Sequence, residues 1–288
     1  MTVPLGRLRR PGRGLGYWAQ VVGTHAALLA YTAVAAFPIA LVVINSFKSR
    51  RAIFGTPYAL PNSETFSLVG YQTVFSGARF DLYFLNSLIV TGVSLAAVLL
   101  FASMAAHALA EYRFRGNMLM GLYLAIGIMI PIRLGTVSIL RIMVALGLTD
   151  TLWSLILVYT AQGLPLAIFI LTAFMRQVPG DLKDAARIDG ASEYRIYGLI
   201  LPLVRPALGT VAVFTMIPIW NDLWFPLVLA SGERSKTIIL GAQIFLGQYV
   251  NDWNAVLASL TLAMVPIIVL YVIFSRQLIQ GLTQGAVK

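Results

Sequence analysis

The chain has no cysteine, two histidines (His25 and His107) and four lysines among its 288 residues. Disulfides and thiolate metal sites are therefore excluded, and two histidines are too few for a histidine-based metal cluster. Charge is scarce as well: 11% of residues are Asp, Glu, Lys or Arg, against about 25% in a soluble domain. Catalytic signatures are missing too. There is no HExxH motif, and no lysine follows a glycine, so the glycine-rich loop ending in Gly-Lys that cradles nucleotide phosphates is absent. The chain is expected to be neither an enzyme nor a nucleotide-binding protein. Any energy it uses must come from a partner.

What is present is hydrophobicity: 59% of residues are apolar and the mean hydropathy is +0.82. That composition predicts an all-α, polytopic membrane helical bundle, because backbone polar groups in lipid must be satisfied within each segment. A bilayer needs roughly 20 apolar residues per helix. Six runs qualify: 21–44, 82–110, 117–140, 151–174, 207–230 and 253–274. The first is longer than the apolar core of a signal peptide and reads as an uncleaved span. Residues 1–20 form a basic N-terminal segment with Arg7, Arg9, Arg10 and Arg13; residues 21–288 form the membrane domain. Two longer connections, 47–81 and 231–251, have lengths that suit external segments. Pro131 and Arg133 interrupt the third span, and Pro165 lies in the fourth.

A net charge of +10 would suggest nucleic acid in a soluble protein. In a membrane protein it reflects basic loops facing the cytoplasm and anionic lipid, and no nucleic-acid partner is expected. Most of the arginines fall on one side if the N-terminus is cytoplasmic. Lys48, Arg50 and Arg51, directly after the first span, count against that orientation.

One polar segment stands out between the fourth and fifth spans: DLKDAARIDGASEYRIYGLILPLVRP, 181–206. Asp181 suits a helix N-cap, with Asp184 three residues on. Leu182, Ala185, Ala186 and Ile188 form an apolar stripe among Lys183, Arg187 and Asp189. Gly190 suits the left-handed residue that closes a helix, Ser192 the cap of a second helix, and Pro202 its end or kink. The pattern predicts two short helices with a glycine corner on a membrane surface; it also suits a solvated loop.

The run Asp184-Ala185-Ala186, then Gly190, then Leu201-Pro202, resembles the EAA signature of ABC-importer permeases, which usually carries Glu where this chain has Asp184. IDGAS at 188–192 and LPLVRPAL at 201–208 resemble the carbohydrate branch of that family, and GLTQGAVK at 281–288 resembles the C-terminal tail of its maltose-type second permease. The resemblance covers about 82–288. It implies that 181–206 holds a cytoplasmic coupling helix docking on an ATPase, with Asp184, Ala185, Ala186, Gly190 and Pro202 carrying the contact. It implies a heteromer with a second permease, an ATPase dimer and an extracytoplasmic solute-binding protein. ATP and Mg would bind the ATPase, with no cofactor or metal in this chain. It implies a multi-pass inner-membrane protein with both termini cytoplasmic, moving a sugar or oligosaccharide by alternating access.

Trp220, Asn221, Asp222 and Trp224 lie inside the fifth apolar run. A carboxylate at membrane depth is costly and faces a cavity or a partner. Rings beside polar groups suit a pore for sugars, whose CH-rich faces stack on aromatics; they also suit an interfacial aromatic belt. The run is similar to the Trp-Asn-acidic segment of carbohydrate permeases. Arg133 suits a pore wall, a partner carboxylate, or a side chain reaching for the membrane surface. His107 and His25 read as packing residues, and 251–254 as a helix cap. The rival functions are an ion-gradient secondary transporter, for which Asp222 is the clear intramembrane carboxylate, an ABC permease for a non-sugar solute, and an intramembrane enzyme, for which no nucleophile–base pair is present.

Overall fold

The computed structural model describes residues 15–77, 79–246 and 251–286, with side chains described only as far as residue 272. The helices in order are α1 (Leu15–Ser46), α2 (Arg50–Gly55), α3 (Val69–Gly77), α4 (Phe80–Glu111), α5 (Asn117–Met129), α6 (Thr136–Ala145) and α7 (Leu152–Met175). Then come α8 (Gly180–Ile188), α9 (Glu193–Leu203), α10 (Arg205–Trp220), α11 (Trp224–Leu229), α12 (Ile238–Ala242) and α13 (Trp253–Ala286). Among the described residues there is no sheet, only two isolated bridges. The all-α membrane bundle predicted from composition is the observed fold.

Among the described residues three helices, α1, α4 and α7, are long and apolar enough to cross a bilayer unbroken. The third apolar run is not one helix. α5 stops at Met129, and α6 leaves at 84° after a 3-10 turn at Ile132–Gly135. Pro131 has no N–H to continue the helix and forces Ile130 into extended backbone (ψ 117°). The fifth run also breaks. α10 ends at Trp220, and α11 starts afresh at Trp224. At its other end α10 meets α9 at 75°, around Val204, between Pro202 and Pro206. α7 passes through Pro165 unbroken. The glycine-bearing tail is drawn into the last turns of α13; residues 287–288 lie outside the described part, as do 1–14 of the basic N-terminal segment.

α4 and α7 pack along their lengths and α10 lies against both, while α13 covers α10, α3 and α1. One apolar core sits toward the α8 end, built from Val98, Ala102, Ala106, Leu171, Met175, Ile196 and Ile200. Another sits toward the opposite end, around Val90, Leu155, Tyr159, Ile219 and Phe225. Between them lies Gly163, where a Cβ would fall 2.8 Å from Val98 and 3.4 Å from Thr215. α4, α7 and α10 reach this close because the residue has no side chain. α1 is peripheral: its apolar stretch has no side chain buried within the chain.

The 47–81 connection is ordered by its own polar groups. The Lys48 ammonium is fully buried and donates to Asn45 Oδ1 (3.1 Å), Thr56 O (2.8 Å) and Pro57 O (3.2 Å). Burial lowers its pKa. Asn254 of α13 donates to the Lys48 carbonyl at 2.6 Å, tying this connection to the last helix. Asp252 caps α13 by accepting from Ala255 N–H at 3.1 Å.

Candidate functional site

The polar elbow forms as two helices with a glycine corner. α8 closes in a full Schellman arrangement: Gly190 N–H donates to Arg187 O (3.0 Å) and Ala191 N–H to Ala186 O (2.9 Å), with Gly190 at φ 76°. Two details of the expectation fail. α8 starts at Gly180, so Asp181 lies in its first turn and does not cap it; its charge faces the helix dipole. Ser192 stands at the N-cap of α9, but its carbonyl, not its hydroxyl, holds the first turn.

The faces of α8 also differ from the simplest amphipathic reading. Lys183 is buried, while Leu182 and Ile188 are exposed, at 47% and 86%. The cause is Glu111, the last residue of α4. Its Oε2 accepts from Lys183 Nζ at 2.7 Å and its Oε1 from Arg187 Nη2 at 2.7 Å. Arg187 also donates to Asp184 Oδ1 and Glu193 Oε1, each at 3.2 Å, and Tyr112 donates to Glu193 Oε2 at 2.8 Å. The Glu111 and Glu193 carboxylates raise the pKa of the Arg187 guanidinium further, and Glu193 raises that of the Tyr112 phenol. α9 is tied to α4 as well, through Tyr197 OH and Ser103 Oγ at 2.7 Å. The elbow is thus latched to one long span by charge, leaving Leu182, Ala185 and Ile188 on its outer face.

Of the residues predicted for coupling, Asp184, Ala185 and Gly190 are exposed, Ala186 is half-buried against the core, and Pro202 lies in the last turn of α9. Glu111 was missed because its partners lie 72 and 76 residues away. Its signal was a lone carboxylate at the end of a span, followed by Arg113 and Arg115.

The second polar group forms where the third and fifth runs break. Asp222 gathers four donors: Arg133 Nη2 (3.2 Å), Tyr159 OH (2.9 Å), Trp224 N–H (3.2 Å) and Phe225 N–H (3.1 Å). The two backbone bonds hold the first turn of α11 from just outside its N-cap position, Leu223, and start a new helix within the fifth run. Arg133 meets this carboxylate within its own chain, and two-thirds of its side chain stays exposed. Trp220 points into the core: it is buried, stacks edge-on against Phe84 at 5.9 Å and donates to Ala263 O at 3.0 Å. Asn221 is exposed, and Trp224 is partly exposed with its indole N–H on Thr136 at 3.0 Å. Beside them a cavity of about 610 Å³ is walled by Pro131, Arg133, Gln162 and Pro165. A smaller one of about 180 Å³, which shares Gln162, is walled by Tyr159 and Thr215. Gln162 was overlooked although an amide inside an apolar run signals a lined cavity. Among the described residues no cluster of potential metal ligands exists.

Comparison with known proteins defines what this bent-span bundle with a charge-latched elbow belongs to. Residues 98–284 match the family model "Binding-protein-dependent transport system inner membrane component". The chain is 36% identical over 263 residues to a putative ABC transporter permease, ORF2, of Caldicellulosiruptor sp. (strain Rt8B.4), covering 91% of this chain and 94% of that one. It is 31% identical to the diacetylchitobiose uptake system permease NgcG of Streptomyces coelicolor (92% and 88% covered). It is 30% identical to the trehalose/maltose transport system permease MalG of Thermococcus litoralis (88% and 91%). A crystal structure of a bacterial ABC transporter involved in import of the acidic polysaccharide alginate contains a chain with the same fold, at TM-score 0.78 and 21% identity, covering 93% of this chain and 99% of that one. The chain therefore belongs to the family of inner-membrane permease components of binding-protein-dependent ABC importers.

Proposed function

We propose that this permease moves a sugar or oligosaccharide into the cell by alternating access, driven through α8 by a partner ATPase pair that binds ATP and Mg. A second permease and an extracytoplasmic binding protein complete the assembly. Residues 1–20 are its basic cytoplasmic segment and 21–288 its membrane domain, with both termini in the cytoplasm, as the arginine bias favours. The carbohydrate reading is supported by the relatives, whose names include permeases for diacetylchitobiose and for trehalose and maltose.

The observation that carries coupling is the inverted face of α8. A nine-residue helix that buries a lysine and exposes a leucine and an isoleucine is held ready for a docking partner. Asp184, Ala185 and Ala186 lie along this helix, Gly190 turns the chain, and Pro202 marks the bend into α10. A rigid push on α8 reaches α4 through Glu111 and α10 through α9, so the spans rock together. In the outer half, Asn221, Trp224, Arg133 and Gln162 offer ring faces and hydrogen-bonding groups to a hydroxyl-rich solute, while Asp222 orients Arg133 and Trp220 supports the wall from behind.

The test is uptake of labelled oligosaccharide by proteoliposomes holding the full importer. Ile188→Asp, Asp184→Lys and Gly190→Leu are expected to lower ATP-driven uptake at least tenfold with membrane insertion intact. Unimpaired uptake in all three overturns the coupling assignment. ATP-independent uptake by the chain reconstituted alone would establish the secondary transporter instead.

A further inference from the structure

We propose that the α4–α5 turn holds a specific site for an anionic phospholipid. Tyr112, Arg113, Phe114, Arg115, Asn117 and Arg176 line a cavity of about 710 Å³ at the membrane edge. Its charge is one-sided. Among the described residues no carboxylate forms an ion pair with Arg113, Arg115 or Arg176, whereas Lys183 and Arg187 nearby are paired with Glu111, Asp184 and Glu193. Arg176 holds its position by donating to Leu109 O at 3.2 Å, and Asn117 braces the turn from Leu109 O and Tyr112 O. Gly116, at φ 98°, turns the chain so that α5 begins at the cavity wall, adding the positive end of a thirteen-residue helix.

The cavity does not end at the headgroup level. Phe114, Arg115 and Gly116 also wall an apolar groove of about 450 Å³ that continues along Leu119, Tyr123 and Ile126. These three side chains are 70%, 72% and 45% exposed, and no residue of α5 is buried within the chain. On the other flank, Arg176 and Asn117 also wall a pocket of about 260 Å³ that includes Thr172, whose buried hydroxyl has no hydrogen-bond partner. Three guanidinium groups without a carboxylate partner, continued on one flank by an apolar channel running along a span, match the phosphate and acyl chain of a phospholipid, and the pocket with the Thr172 hydroxyl opens on the opposite flank. Free phosphate would use only the first of these. A soluble partner would not follow an apolar groove into the bilayer. Basic pockets between spans take anionic headgroups for this reason.

The importer complex is placed in nanodiscs containing equal phosphatidylglycerol and phosphatidylcholine, re-extracted, and its retained lipid counted by native mass spectrometry. Phosphatidylglycerol is expected to be enriched. Arg113→Gln, Arg115→Gln and Arg176→Gln should each lower that enrichment roughly fivefold. Arg195→Gln, on α9 outside the cavity, should leave it unchanged. Tyr123→Asp, which keeps all three arginines, should lower it as well. Equal retention of both lipids, or wild-type enrichment in the triple arginine variant, overturns the site. Displacement of the lipid by inorganic phosphate at millimolar concentration would identify a soluble-anion site instead. A photo-crosslinker at position 115 that captures a protein subunit in place of lipid would overturn the proposal as well. Transport is not read in any arm, so these outcomes are independent of the coupling assignment.

Discussion

Glu111 and Asp222 are both carboxylates at the ends of long helices, both largely withdrawn from solvent, and both engaged with arginine. They differ in where their partners come from. Asp222 takes two donors from the turn that follows it and two from the neighbouring third and fourth apolar runs. Glu111 takes both of its cations from one separate element, α8. Any displacement of α11 carries half of the Asp222 bonds with it. Any displacement of α8 from α4 strips Glu111 of every ion pair at once. The first arrangement fixes a break in the membrane part; the second makes the elbow and the span behave as one body, because separation leaves a half-buried carboxylate alone.

The contrast can be broken hardest at Asp222. Asp222→Ala leaves two N–H groups and a buried phenol without their acceptor, at about 1–3 kcal/mol for each buried group, and frees the largely exposed Arg133 guanidinium. The readout is a lowered unfolding temperature of the importer in detergent; Asp222→Asn, which keeps one acceptor oxygen, should recover part of it. An unchanged unfolding temperature in Asp222→Ala would mean that the four bonds do not hold the break.

Glu111→Gln comes next. Removing a charge that faces Lys183 and Arg187 should weaken the latch by about 1.5–3 kcal/mol. Faster amide exchange across 180–188, with exchange in α7 unaltered, is the expected signature. Uptake per ATP hydrolysed should fall while ATP hydrolysis itself persists. Equal exchange in variant and wild type would show that packing, not charge, seats α8.

The smallest effect sharpens the comparison at an exposed pair. Lys236, and then the Tyr83 hydroxyl, hold the Glu233 carboxyl below its ordinary pKa of 4.5. A depressed folded-state pKa stabilises the fold above the ordinary value, and that contribution is lost as pH falls through the lowered one. The 231–246 segment should therefore loosen below about pH 4.5 in wild type, and the acid-side loss should shrink in Glu233→Gln. More than half of the Glu233 side chain is exposed, so screening keeps the effect slight.

The parts of the molecule written in local pattern were readable beforehand. Apolar run lengths located the three unbroken spans α1, α4 and α7, and Gly190 located the corner of the elbow, because both depend on neighbours within a few residues. The two breaks were only half visible. Pro131 marks a place where a helix is weakened, but a proline is also compatible with an unbroken helix, as Pro165 shows. What turns Asn221–Asp222 into a true break is a set of donors that includes Arg133 and Tyr159, 89 and 63 residues distant. The same holds for Lys183: its own helix suggests a solvated face, and only Glu111 draws it inward. Trp220 likewise looked like part of a pore wall because its neighbours are polar, while its indole N–H is committed to a carbonyl of α13.

Gly163 occupies the level between the two apolar cores described above, where the side chains of Val98 on α4 and Thr215 on α10 rest on the bare backbone of α7. On its α7 side that seam has no knob to lift out of a hole when one helix turns against another, so rotation there is opposed less than in layers where both faces interlock. Filling that notch with even a methyl group would act as a wedge, jamming the bundle at its waist while leaving the elbow, the caps and the outer cavity untouched.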